Sequence, residues 1–479
     1  MTATFFWHDY ETTGADPRRD RPAQFAGIRT TLDLEPVGEP VEFFCRPAPD
    51  VLPHPVAALI TGITPQQMQA QGVIEAEFAA RVHDELAAPG TCGVGYNSLR
   101  FDDEFTRNLL YRNFYEPYAR EWENGNSRWD LIDLVRMTYA LRPDGIAWPR
   151  RDDGSASFKL EDLATANRLE QERAHDALSD VHALIGLARL IKIRQPRLFD
   201  FYFGLRRKQR AFELLDVPRM APVVHVSSRY PATRGCLAVV APLAAHPDQP
   251  NGVIVYDLDA DPAPLAELDA DAIADRVFTP RDALPDDVAR VPLKVVHANK
   301  SPALAPLSVL QGIDHTRIAL DLDRCLANLE RIRAMPGIAE KVRQVFARRE
   351  AYPAAQDSEL AIYSGFFGDG DRRLLRDVRR TPPEQLATQR FAFRDARCAE
   401  LLFRYRARNW PDTLSADEQA QWTAQCRARL NTHTDVTALS FEEYFATIAQ
   451  TRMLPEAAGK QAVLDALDAW GRERQLEFA

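Results

Sequence analysis

Asp9 and Glu11 stand two residues apart in the run His8-Asp9-Tyr10-Glu11-Thr12, directly after the β-rich stretch Thr4 to Trp7. Residues i and i+2 of an extended strand face the same side, so this spacing brings two carboxylates to one point. Such a point suits a hard divalent cation, because magnesium takes one or two carboxylates and keeps water and substrate phosphate in its shell. A polar strand end carries the same letters, so the pair alone is a weak signal. A second acidic segment, Phe101-Asp102-Asp103-Glu104, follows the strand-like Cys92 to Tyr96 and opens a helical stretch. Acids favour the positive end of a helix, so Asp102 reads equally as a cap or as a further ligand. The third segment is His175-Asp176-Ala177-Leu178-Ser179-Asp180. Within one helix His175 and Asp180 would lie about 140° apart, too far around for one site. His175 is therefore expected in the preceding loop, with Asp176 as N-cap and Asp180 in the first turn.

Basic and aromatic residues interleave between the second and third segments, among them Arg107, Tyr118, Trp122, Arg128 and Arg136. Stacking rings with cations are what sequence-tolerant binding of a single strand requires. Phe114 and Trp129 are expected in the core, and Tyr118 and Trp122, in a more polar stretch, on the stacking path. The run Arg206-Arg207-Lys208-Gln209-Arg210 reads either as a phosphate contact or as a solvated helix face.

The elements that must position these groups follow from periodicity. Strands are expected at Phe25 to Leu34 and Val41 to Arg46, and helices at Glu75 to Ala88, about Asp103 to Phe114, and Ala177 to Ile193. Together they make a mixed α/β domain over residues 1–196, ending before Gln195-Pro196. Short β-rich runs punctuated by proline and glycine from Pro218 to Pro302, then helical spacing from Ala319 to Arg349, define a second domain over 197–351. The remainder, 352–479, is expected to be all helical. The net charge of −10 disfavours a DNA binder globally but leaves room for a local basic groove. Six scattered cysteines show no C-x-x-C pair, which argues against zinc and disulfides. No long apolar run and no signal-like N-terminus are present, so the expectation is a cytoplasmic protein without a membrane anchor.

An α/β domain with D-x-E on its first strand, F-D after a later strand and H-D-x-x-x-D at its last helix resembles the DEDDh exonuclease family. The surrounding words H-D-Y-E-T, D-R-P-A-Q-F-A, I-T-G-I-T-P, R-F-D-D-E, N-S-R-W-D, Y-A-L-R-P-D-G-I and Q-P-R-L-F-D, with L-F-R-Y-R-A-R-N later, resemble its exonuclease I branch over nearly the whole chain. The resemblance implies a ribonuclease H-like exonuclease domain, a small SH3-like β-rich domain and an α-helical C-terminal domain. It implies a monomer that degrades single-stranded DNA from the 3′ end to nucleoside 5′-monophosphates, in repair and recombination. Two magnesium ions would be held by Asp9, Glu11, Asp102 and Asp180, with His175 as general base. Substrate contacts carried over are Glu11, Arg107, Tyr118, Trp122, Arg136, Lys159, Lys208, Asn251 and Lys294. A further implied partner is the acidic, hydrophobic C-terminal tail of single-stranded DNA-binding protein, with no residues assigned to it. Alternatives are a proofreading or RNA-trimming enzyme of the same family, or a non-catalytic scaffold. The last is disfavoured because a scaffold has no need to cluster mutually repelling acids.

Overall fold

The computed structural model describes residues 3–169, 176–347 and 355–478. The chain divides into two compact units, one of Met1–Ser127, Gln171–His182 and Pro353–Ala479, the other of Arg128–Glu170 and Ala183–Tyr352.

In the first unit, strands β1 (Thr4–Thr12), β2 (Pro22–Thr30), β3 (Val41–Phe44) and β4 (Thr91–Gly95) run in the order β3-β2-β1-β4. β1 is antiparallel to β2 and parallel to β4, which makes the sheet mixed. Phe5, Phe6, Trp7 and Tyr10 are all buried, so β1 is covered on both faces. The second strand starts and ends earlier than its apolar letters suggest. It is held in register with β1 from Phe5↔Thr30 to Glu11↔Gln24, and beyond Thr30 the chain turns through Leu34, whose φ is 69°. Helix Glu75–Leu86 buries Phe78, Ala79, Val82 and Leu86, a three-to-four spacing, against Phe6, Tyr10 and Phe25.

The same unit contains the C-terminal helices Asp369–Arg380, Arg397–Asn409, Ala416–Asn431, Phe441–Thr451 and Gln461–Phe478, with no strand among the described residues after 354. Ser415 and Ser440 each form a capping box, with Glu418 and Glu443. A buried ion network joins these helices to the loop after β3. Arg408 reaches Asp50 at 2.7 Å and also Glu359, and Arg429 reaches Asp50 at 2.5 Å and Glu359 at 3.0 Å.

The second unit holds a five-stranded antiparallel sheet in the order Ala303–Pro306, Val223–Val226, Leu237–Ala245, Gly252–Asp257, Leu293–His297. Its first strand lies past the expected limit at Pro302, because a four-residue run carries little periodicity. Helices Ala263–Glu267 and Ala270–Phe278 interrupt the β-rich stretch. The later helical region splits into Leu322–Arg333 and Ile338–Ala347 around Gly337, whose φ of 72° ends a helix without strain. All six cysteines are buried free thiols, and no described helix is long and apolar enough to cross a membrane.

Candidate metal centre

β1 carries Asp9 and Glu11 on one side of the sheet, opposite Ala26 and Gln24 of β2. Glu11 is buried and Asp9 half-buried, and a register shift follows between Glu11 and Thr12. Asp180 approaches from the first turn of helix Ala177–Arg194. Asp176 precedes that helix as expected of its cap, accepting from the Ser179 amide at 3.4 Å. One ligand oxygen each from Asp9, Glu11 and Asp180 lies within 4.8 Å of the others.

Asp102 stands outside this triad but is felt by it. It is the first residue of helix Asp102–Arg112 and is buried. The turn from β4 into that helix is tight. A Cβ on Gly95 would lie 2.6 Å from Ser98 Cβ and 3.2 Å from the His8 carbonyl oxygen, and Asn97 has a φ of 63°. A hydrogen-bond chain ties the helix to β1, with Thr106 Oγ1 donating to the Asp102 carbonyl at 2.8 Å and lying 3.0 Å from the Tyr10 hydroxyl. The neighbouring Asp103 instead pairs with buried Arg120 at 2.5 Å.

Burial and mutual repulsion govern the charge of this cluster. The Asp9 carboxyl is pushed well above the usual carboxylate range by burial, then by the charges of Asp102, Glu11 and Asp180. Glu11 is raised by burial, then by Asp180, Asp102 and Asp176. Every one of these influences acts upward, so Asp9 and Glu11 hold their protons more tightly than ordinary carboxyls and would release them to a bound cation. An all-oxygen, carboxylate-rich donor set fits a hard divalent cation such as magnesium or manganese, and does not suit a soft one. His175 lies outside the described residues.

The expected substrate contacts separate into several kinds. In the first unit, Trp122 is 63% exposed, and Phe114 is buried as expected. Arg107 is committed to Glu104 at 2.6 Å and Glu121 at 2.7 Å, and its guanidinium lies over the half-buried Tyr118 ring at 5.2 Å. It therefore steadies Tyr118 instead of offering a loose charge. In the second unit, Trp129 is buried and Arg136 is a buried ion-pair partner of Asp133 at 2.8 Å. Lys159, at the head of helix Leu160–Asn167, is exposed. Lys208 Nζ lies 3.5 Å from Asn251 Oδ1, so two residues separated widely in sequence meet. Lys294 is half-buried, 3.1 Å from His225 Nε2 and 3.0 Å from Ser227 Oγ, over the Tyr230 ring.

Two aromatic residues were missed. Tyr363 and Phe366 are 57% and 73% exposed, and Phe366 meets Tyr118 edge-on with centroids 5.4 Å apart. Tyr363 donates a hydrogen bond to Glu104. The signal was present in Tyr363-Ser364-Gly365-Phe366-Phe367-Gly368, where aromatics sit among small residues that cannot cover them.

Comparison with known proteins matches the chain along its length. Residues 6–188 match the family model described as Exonuclease, 206–348 the Exonuclease I SH3-like domain, and 356–474 the Exonuclease I C-terminal domain. Exodeoxyribonuclease I of Escherichia coli is 50% identical over 88% of each chain, and that of Haemophilus influenzae 45% over 92% of each. The solved exonuclease I of Methylocaldum szegediense superposes with a TM-score of 0.94 at 50% identity, covering 98% of this chain and 99% of that one. Escherichia coli exonuclease I in complex with a dA16 oligonucleotide also gives 0.94, at 46% identity over 99% and 100% of the two chains. A mixed-sheet domain bearing clustered carboxylates, an SH3-like domain and a helical C-terminal domain thus occur in one chain in the order of these relatives, and the protein belongs to the exodeoxyribonuclease I family.

Proposed function

We propose that the protein hydrolyses single-stranded DNA one nucleotide at a time from the 3′ end, releasing nucleoside 5′-monophosphates in repair and recombination. The observation that carries this reading is the convergence of Asp9, Glu11 and Asp180 within 4.8 Å, with Asp102 raising the first two. These four carboxylates would hold two magnesium ions, and bound divalent ions supply Lewis acidity toward the scissile phosphate and its attacking and leaving oxygens. Glu11, at the buried end of the pair, also borders the terminal nucleotide. On the family resemblance His175 is the general base, its neutral imidazole accepting the proton of the attacking water.

The strand is held by rings and cations on each unit. Trp122, Tyr118, Tyr363 and Phe366 present exposed or half-exposed faces on the first, where Arg107 fixes Tyr118. Lys159, Lys208 with Asn251, Lys294 and Arg136 serve the second, the last through a guanidinium already oriented by Asp133. That the structural relatives include a complex with an oligonucleotide supports single-stranded DNA as substrate. We also assign the working form as a monomer in the cytoplasm, built of domains 1–196, 197–351 and 352–479. The acidic, hydrophobic tail of single-stranded DNA-binding protein needs an apolar hollow flanked by cations. A hollow of about 520 Å³ in the second unit, lined by Leu198, Phe201, Val309, Arg142 and Arg197, has that chemistry.

The test is substrate competition with magnesium present. Single-stranded DNA labelled internally and terminally should release mononucleotides, while duplex DNA and single-stranded RNA should be poor substrates. Endonucleolytic fragments, or faster digestion of RNA, would overturn the reading.

A further inference from the structure

Away from the carboxylate centre, the first unit contains a cavity of about 260 Å³ whose lining includes Arg21, Arg46, Glu75, Arg408, Trp470 and Arg474. Arg21 is 2% exposed and is the poorly served cation of the buried ion network. Its nearest carboxylates are Glu75 at 3.9 Å and Glu359 at 3.7 Å, and both are engaged more closely by others. Arg112 holds Glu75 at 2.8 Å, while Arg429 holds Glu359 at 3.0 Å. The close bonds Arg21 does make run from Nη1 to the carbonyls of Arg19 and Asp20. Burial, then the charges of Arg112 and Arg408, lowers its affinity for a proton to a pKa of about 10.

The donors around this cavity share one deficiency. Arg21 Nε, Trp470 Nε1 and Arg474 Nε are buried and find no acceptor among the described residues. A buried N–H without an acceptor costs about 1–3 kcal/mol, and more when charged. At the rim, Arg46 is exposed, donates from Nε to the Gly72 carbonyl, and pairs with no carboxylate of the described residues. The rest of the wall is apolar at Ile74, Pro47, Ala48, Pro49 and Pro411, and is interrupted by the amides of Gln69 and Asn409.

We infer that this cavity binds a small organic phosphomonoester, whose oxygens accept from Arg21, Trp470, Arg474 and Arg46 while its body lies against the apolar wall. A phosphate dianion has acceptors and no obligatory donors, matching a lining whose buried, unpartnered atoms are all donors; a carboxylate offers one oxygen fewer. The cavity is also larger than an inorganic anion needs, which selects a phosphate carrying an organic body. The inference does not depend on the nuclease reading.

The test uses the full chain in EDTA at constant ionic strength, following the melting midpoint against thymidine 5′-monophosphate, inorganic phosphate and thymidine. The monophosphate should raise the midpoint with concentration, inorganic phosphate less so, and thymidine not at all. Arg46→Glu, an exposed position, should fold as the parent and weaken the monophosphate response roughly tenfold or more, as loss and reversal of one guanidinium contact implies. Arg474→Gln should weaken it in the same direction. No response in the parent protein, or an equal response in both variants, would overturn the site.

Discussion

Replacing Asp9 by asparagine should make the metal-free protein more stable while abolishing its activity. The side chain keeps its shape, so the change isolates charge. At 4.8 Å and an effective dielectric of about 20, one fully ionised pair repels by about 3.5 kcal/mol. Much of that repulsion is already relieved, because the raised Asp9 and Glu11 carboxyls take up protons to escape it. The gain left for Asp9→Asn near neutral pH is therefore a part of that figure, about 1–2 kcal/mol. The sign follows from linkage. A carboxyl raised in the folded state binds more protons there than in the unfolded chain, so the parent should lose stability as pH rises from about 4 into the neutral range. Asp9→Asn should flatten that slope. The assay is urea denaturation in EDTA at several pH values, repeated with excess magnesium. Magnesium should stabilise the parent strongly and the variant weakly or not at all. A variant less stable than the parent in EDTA, or stabilised by magnesium equally, would refute the reasoning.

Four further outcomes rest on other parts of the structure. Arg408→Met removes a cation shared by buried Asp50 and Glu359, leaves both to Arg429, and should cost up to about 3–5 kcal/mol in urea denaturation. Arginine neighbours hold both carboxyls well below the usual range despite burial. Their contribution should therefore be complete above the unfolded carboxylate pKa and fade as pH falls below about 4, seen as a steep loss of the urea midpoint toward pH 3. Trp122→Ala should weaken single-stranded DNA binding by about 1–3 kcal/mol in fluorescence anisotropy with EDTA, leaving kcat at saturating DNA nearly unchanged. Gly95→Ala pushes against Ser98 and the His8 carbonyl, moves the turn that seats Asp102, and should raise the magnesium concentration needed for half-maximal activity.

Legibility tracked whether a feature is local in the chain. The shared face of Asp9 and Glu11 is a property of any extended strand, and Asp180 one turn beyond the Asp176 cap is a property of a helix start, so both could be read from letters. Choosing Asp102 over Asp103 was not local, since it rests on Arg120 drawing Asp103 aside. The Arg107 arrangement was half legible. Glu104 is one helical turn away, but Glu121 arrives from another segment and turns a supposed free cation into a brace for Tyr118. Tyr363 and Phe366 reach Tyr118 from some 250 residues along the chain, beyond any periodicity. The strand Ala303–Pro306 escaped because its pairing with Val223–Val226, not its composition, makes it a strand.

The central claim is tested most directly with two single-stranded oligonucleotides of one sequence, one blocked at its 3′ end and the other at its 5′ end, incubated with magnesium or with EDTA. The 5′-blocked strand should be degraded to nucleoside 5′-monophosphates with magnesium, and the 3′-blocked strand should survive. Degradation of the 3′-blocked strand at a comparable rate, or undiminished digestion in excess EDTA, would contradict it.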